Sequence, residues 1–473
     1  MSNPDLVSRA DTAGYEVRHG PSAVPGFTAE ATGGALAPLD IAYPSPEGDT
    51  IDSSAGPLLD ARTNTAAATW ALFCGIAFLM LGNGLQGILI GVRSQSAGFS
   101  ALATGLVMTA YFLGFLAGTR AVQTLLNAVG HIRVFAALAS AASVSSLVHA
   151  LAVEPVGWVA MRFLTGFCFS GLYVVAESWI NDLATNKTRG RLMAVYMVVT
   201  MGSIAVGQFL LNVADPTGFR LFILSSVLIS VSLVPVTLSA TSAPPTSVAS
   251  PMSVRALWNI VPTGLVITYF NGIVAGALLG MGAVYATVQG LSASEVAVFM
   301  SAPMVGGVVF QLPVGWLSDM LPRRGVILAL ALLGVATAST LWLVPPGSVV
   351  SVGLMVVLGG VAFPLYSLGI AYTNDWLAAE QVLGASAALV AANGIGAVCG
   401  PLITAAVFAT VGAEQFFLVM VMSFGLISGY VIFRIATNDA PTVDEQDPYV
   451  PFPARGSAQV AKLFLRRRNG RRR

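Results

Sequence analysis

Arg162 and Glu177 stand fifteen positions apart in a stretch that otherwise holds almost no charge. A guanidinium and a carboxylate in such surroundings can hold an ionised solute, organise proton movement or pin two segments together. On one helix, fifteen residues span about 22 Å, so the two cannot pair directly. Arg162 then reads as an anion or proton-organising site, or as a structural arginine snorkelling towards water. Glu177 reads as the partner of Arg189 or Arg191, just beyond it, or as a proton carrier. A second cluster runs from Gly315 through Asp319 to Arg323 and Arg324. Asp319 falls at the carboxyl end of an apolar run, where its charge opposes the helix dipole unless a cation or another helix's amino end compensates.

Uncharged polar side chains inside apolar runs are the remaining candidates for solute contact: Asn83, Gln86, Tyr111, Tyr173, Asn271, Gln311, Tyr366 and Asn393. Their alternative role is hydrogen bonding between helices in lipid. A nucleophile with a base, a metal cluster or a phosphate loop is not recognisable, so the reading is of a protein that is not an enzyme and has no metal or cofactor. Cys74, Cys168 and Cys399 all fall in apolar runs without ligand or disulfide spacing and read as small core residues.

The elements that must position these residues follow from composition. Of 473 residues, 55% are hydrophobic and only 10% charged, too few to cover a soluble chain that would form about three domains. Residues 1–65 carry nine acidic and three basic residues with no apolar stretch and read as a disordered tail. From Ala66 onward twelve apolar runs follow, each near the roughly 20 residues that cross a bilayer core, and in lipid each must be helical. The expected fold is all-α, integral to the membrane, with twelve spans in two six-helix halves, 66–239 and 259–435, joined by a linker at 240–258 and followed by a tail at 436–473. Arg62, Arg120, Arg133, Lys187, Arg189, Arg191, Arg255, Arg323 and Arg324 share one side with both tails, whereas Arg93 and Arg220 lie on the other. That bias places both termini in the cytoplasm. The final residues, Lys462 to Arg473, read as a solvated tail that enforces topology or as a contact for anionic lipid headgroups. No fold or aromatic pattern supports nucleic-acid binding.

The halves repeat one another. Gly98, Ser100, Met108 and Gly114 recur 192 positions later as Gly290, Ser292, Met300 and Gly306. Gly166, Tyr173, Asn181, Asp182 and Gly207 recur 193 positions later as Gly359, Tyr366, Asn374, Asp375 and Gly400. Asn83-Gly84 has a looser counterpart in Asn271-Gly272, and the pairs Asn83 with Asn271 and Tyr173 with Tyr366 are the preferred cavity candidates.

These residues resemble the major facilitator superfamily. Gly315-Trp-Leu-Ser-Asp319-Met-Leu-Pro322-Arg323-Arg324 looks like its signature loop, with Pro322 at the second glycine. The first-half copy has decayed to Asn127, Gly130, His131 and Arg133. Arg162-x-x-x-Gly166 and Glu177 with Arg189-Gly190-Arg191 are similar to its fourth-helix motifs, and the combination resembles a bacterial branch of poorly characterised members. The resemblance covers about 66–435. It implies alternating access about a site between the halves, with Gly315, Asp319, Arg323, Arg324, Glu177, Arg189 and Arg191 forming a gate that holds the cytoplasmic side shut in the outward-open state. The expected function is secondary transport of a small organic solute by a monomer in the bacterial cytoplasmic membrane, by efflux or uptake. The scarcity of central carboxylates leaves facilitated diffusion beside proton coupling. The alternative is a membrane sensor or scaffold on the transporter fold.

Overall fold

The computed structural model describes residues 58–184, 188–238, 252–437, 441–449 and 451–452. Residues 1–57 of the amino-terminal tail, most of the linker and the arginine-rich segment Lys462 to Arg473 lie outside the described residues. Fifteen helices run in order: α1 Leu58–Ser96, α2 Ala101–Val129, α3 His131–Leu151, α4 Pro155–Leu183, α5 Arg189–Phe209, α6 Arg220–Val231, α7 Leu233–Leu238, α8 Val254–Ile260, α9 Pro262–Gly276, α10 Gly282–Val288, α11 Ala293–Met320, α12 Arg323–Leu343, α13 Val349–Asn374, α14 Ala379–Thr410 and α15 Phe416–Thr437. They supply twelve spans long and apolar enough to cross a membrane, and among the described residues there is no strand.

Three boundaries depart from the sequence expectation. The first helix begins at Leu58, eight residues inside the expected tail. The linker closes with the short helix α8, whose Ser253 cap accepts a hydrogen bond from the Ala256 N–H at 3.1 Å. The seventh span is interrupted by a wide turn at Ala277–Met281 between α9 and α10, a local widening of the helix that is frequent at functional sites.

The duplication is visible as contacts. Gly114 of α2 abuts the Phe163 carbonyl and Gly166 of α4 abuts the Tyr111 carbonyl. In the second half Gly306 of α11 abuts Val356 and Gly359 of α13 abuts Pro303, each partner displaced by the same 192 or 193 positions. A side chain at any of the four would meet backbone, so glycine permits the two helices to touch. The same register corrects the first-helix pairing. Gly84 abuts Ile204 and Gly276 abuts Ala397, so the counterpart of Asn83 is Ala275. Asn271 lies one helical turn away, and the similarity of the two Asn-Gly pairs arises from a local coincidence in a glycine-rich sequence.

The two halves meet through α2 with α14, α5 with α11, and α1 with α10. Each half starts its second span in the same way. Gly98 and Gly290 hold φ of 73° and 82°, and Ser100 and Ser292 cap the following helices. Ser292 also forms a capping box with Glu295, whose carboxylate accepts from the Ser292 N–H at 2.8 Å. Replacing Ser292 by alanine is expected to cost about 1 kcal/mol, read as a fall in the thermal unfolding midpoint of the purified protein.

Because successive spans alternate in direction, the carboxyl ends of α2, α4, α11 and α13 share one face with the amino ends of α3, α5, α12 and α14. That face carries Arg120, Arg133, Arg191, Arg323 and Arg324 and is called the basic face below. Towards the opposite face the halves are pressed together: Gly91 of α1 lies against Ala283 and Val284 of α10, and Gly105 of α2 against Pro401 and Ala405 of α14.

Candidate functional site

Two small cavities lie where the halves meet. One is lined by Asn83, Gly84, Gly87, Tyr111, Phe112, Arg162, Ile204, Gln208, Leu279 and Met300, among others. The second is lined by Tyr111, Phe115, Leu116, Thr119, Ala275, Leu279, Tyr366, Val390 and Asn393, with Phe112 and Ala397. Tyr111, Phe112 and Leu279 belong to both, so the two are adjoining chambers. Each has a cavity volume of about 40 Å³, room for a few waters and well short of the roughly 300 Å³ and upward of a ligand pocket.

Arg162 enters the first chamber about 10 Å along α4 from Pro155 and is 5% exposed. Its guanidinium carbon lies 4.4 Å from the centroid of the Tyr111 ring. Such stacking offsets part of the cost of taking the charge out of water. The close α2–α4 crossing at Gly114 and Gly166 sets that geometry, because Tyr111 is the residue whose carbonyl Gly166 touches. Every other described residue lining either chamber is uncharged.

Of the candidates read from the sequence, Asn83, Tyr111, Arg162, Tyr366 and Asn393 line the chambers. Asn393 also donates from Nδ2 to the Thr268 carbonyl at 3.1 Å. Gln86 and Asn271 are buried but are not among the lining residues of either chamber. Tyr173 donates its hydroxyl to Met80 Sδ at 3.1 Å and packs on Phe115, one ring away from the chambers. Gln311 is drawn off towards the basic face, donating to Ser367 Oγ at 2.9 Å and to the Tyr449 hydroxyl at 2.6 Å. Gln208 and Leu279 were not among the sequence candidates. Gln208 follows the repeated Gly207, and Leu279 is placed by the widened turn, which no local residue pattern announces.

The charged loop is paired within its own half. Arg323 Nη1 donates to Asp375 Oδ1 at 2.6 Å, its Nη2 donates to the Asp447 carbonyl at 2.7 Å, and Asp319 stands 3.5 Å away. Arg324 donates from Nε to the Tyr372 hydroxyl at 2.9 Å and lies over the rings of Tyr372 and Trp376. Burial pushes the Asp375 carboxyl up to about 6, with Arg323 and the Asp447 N–H pulling it back. Glu177 accepts from the Tyr196 hydroxyl at 3.2 Å, and Arg191 is exposed. The side chain of Arg189 lies outside the described residues.

The described part of the carboxyl-terminal tail folds back onto the protein, whereas Lys462 to Arg473, read as solvated or as a lipid contact, lie outside the described residues. The Asp447 N–H donates to Asp375 at 3.1 Å and the Tyr449 N–H to Asp319 at 2.7 Å. Phe452 exchanges two hydrogen bonds with Ser367, its N–H donating at 3.1 Å and its carbonyl accepting at 2.9 Å. Its ring meets that of Tyr366 edge-on at 5.8 Å. The aromatic cluster Tyr449-Val-Pro-Phe452 in a polar tail was the available sequence signal.

A model of the Major Facilitator Superfamily matches residues 72–365 and, in a second placement, 263–469. Among curated proteins, the uncharacterized MFS-type transporter YcaD of Escherichia fergusonii is 25% identical over 379 residues, 79% of this chain and 97% of that protein. Its namesake in Salmonella arizonae is 26% identical over 371 residues, 77% of this chain and 95% of that protein. Among solved structures, the nucleoside transporter NupG superposes with a TM-score of 0.61 at 12% identity, covering 79% of this chain and 98% of that one. A bacterial homolog of the human lysosomal transporter Spinster, in an inward-facing and unoccupied conformation, gives 0.59 at 15% identity over 85% of this chain and 98% of that one.

Proposed function

The chain belongs to the major facilitator superfamily, and from that premise we propose that it moves a small organic solute with an anionic or strongly hydrogen-bond-accepting group by alternating access. The observation that carries the reading is Arg162: one buried cation at the junction of the halves, among lining residues that are otherwise uncharged. A desolvated guanidinium in an uncharged chamber attracts a negative group and penalises a cation. Asn83 and Gln208 add amide donors and acceptors beside it, and Tyr111, Phe112 and Phe115 supply apolar walls. The arginine bias supports a cytoplasmic basic face, and we take the membrane to be the cytoplasmic membrane of a bacterium with both termini inside. Efflux and uptake are equally compatible with this site.

The test is a thermal-shift screen of purified protein against organic anions, neutral solutes and cations, since a ligand that binds the folded state raises its apparent stability. An organic anion should stabilise the protein. Arg162→Gln should weaken that binding by tenfold or more, because a hydrogen bond to a charged group is worth about 1.5–3 kcal/mol. Stabilisation by cations alone, or an anion effect that survives Arg162→Gln, would sink the assignment.

A further inference from the structure

The tail climbs into the protein. From Asp447, level with Asp375 at the end of α13, it passes Tyr449 and reaches Phe452 beside Ser367, eight residues back along α13, a rise of about 12 Å. On the α11 side it passes Asp319 and then Gln311, again eight residues deeper. Phe452, the last described residue, is 1% exposed and packs against Tyr366, and Tyr366 is a wall of the second chamber. The segment thus leads from the basic face to the underside of the chambers between the halves.

We propose that the tail segment carrying Asp447, Tyr449 and Phe452 is an intramolecular plug that closes the basic-face access to the chambers when seated, and that the charged loop Asp319, Arg323 and Asp375 is its dock. Three features point to a built seat. The Tyr449 and Asp447 N–H groups are taken up by two carboxylates, and the Asp447 carbonyl by Arg323. Gly315 leaves room for a ring: the nearest atoms that a side chain there would meet are those of the Tyr449 ring. Ser367 serves the tail on both its donor and acceptor sides. The decayed first-half loop marks the contrast. Asn127 and His131 stand at the positions equivalent to Asp319 and Arg323, and the described tail segment docks on the second-half copy alone. Rocking of one half against the other must bring the basic-face ends of α4 and α5 towards α11 and α13. A seated tail opposes that approach, so its docking shifts the balance between the two access states.

The proposal rests on the transporter reading only in calling the chambers a solute path, and its test needs no solute. The full chain, with Cys74, Cys168 and Cys399 replaced by serine and a reporter Thr119→Cys in the second chamber, is placed in nanodiscs and treated with a membrane-impermeant, sulfonated maleimide. Tyr449→Ala with Phe452→Ala, and separately Gly315→Val, should speed labelling at the reporter at least tenfold. A reporter Ala128→Cys at the exposed end of α2 should change less than twofold. A simple structural staple predicts lower thermal stability with unchanged reporter labelling, and that result in a variant running as a single folded species overturns the plug. Hydrogen exchange on the unmutated chain decides docking without substitution: the amides of Asp447, Tyr449 and Phe452 should be protected, and exchange at the rate of a free peptide would overturn the proposal. Labelling that responds as expected while no solute is ever bound would instead count against the transport reading.

Discussion

Gly166→Val will abolish recovery of a single folded species, and Gly359→Val will do the same. At both sites a new Cβ meets the backbone of the neighbouring helix, Tyr111 and Phe115 in one half and Pro303 in the other. Overpacking against side chains typically costs about 1–3 kcal/mol, because side chains can re-pack. A carbonyl inside a helix cannot move without its helix, so α2 must separate from α4, or α11 from α13, over several turns. In lipid the dispersion contacts of such a close crossing have no hydrophobic effect to replace them. Size-exclusion profiles after solubilisation should show aggregate or no protein for both variants. Gly353→Val and Gly429→Val, whose Cβ positions are open, should run as the parent. A folded Gly166→Val chain would contradict the α2–α4 geometry, and with it the placement of Tyr111 under Arg162.

The second large effect concerns Asp375. Its carboxylate and the Arg323 guanidinium are 2% and 1% exposed, and Asp375→Asn leaves a buried cation with one charged neighbour, Asp319 at 3.5 Å, beside the carbonyls of Ala371 and Asp447. Breaking a buried pair by removing one partner typically costs about 3–5 kcal/mol, whereas exchanging both for apolar groups is often neutral. Asp375→Asn and Arg323→Gln should each lower the unfolding midpoint substantially, and Asp375→Leu with Arg323→Met should recover most of it. The Asp447 amide should lose protection in all of them, because the tail docks on this pair. Equal loss in the single and double variants would show that the pair contributes no more than its two hydrogen bonds to the tail.

Much of the scaffold was legible in the residues. The twelve spans follow from apolar run length, since the backbone in lipid has no alternative to the helix. The duplication was carried by Tyr-x7-Asn-Asp and the spaced glycines, and those glycines proved to be the helix crossings themselves. Where the repeat was read from a two-residue match, at Asn83 and Asn271, it slipped by one turn. Five of the nine solute-contact candidates line the chambers. For the other four, burial was legible and direction was not: a polar side chain on an apolar helix turns inward in either role, and only the neighbouring helix decides whether it faces a chamber or another side chain.

Local chemistry along the chain forces a membrane location through hydropathy, helices through the absence of water, two related halves through repetition, and a cation deep in the fourth span. Which groups meet is a matter of the packed helices. Arg323 and Asp375 are 52 positions apart and Tyr449 and Asp319 are 130 apart. Neither pairing leaves a local trace, because it depends on which helix ends converge at the basic face. The same holds for the tail at Asp447 and Tyr449, which two carboxylates and a glycine-made space on other helices receive.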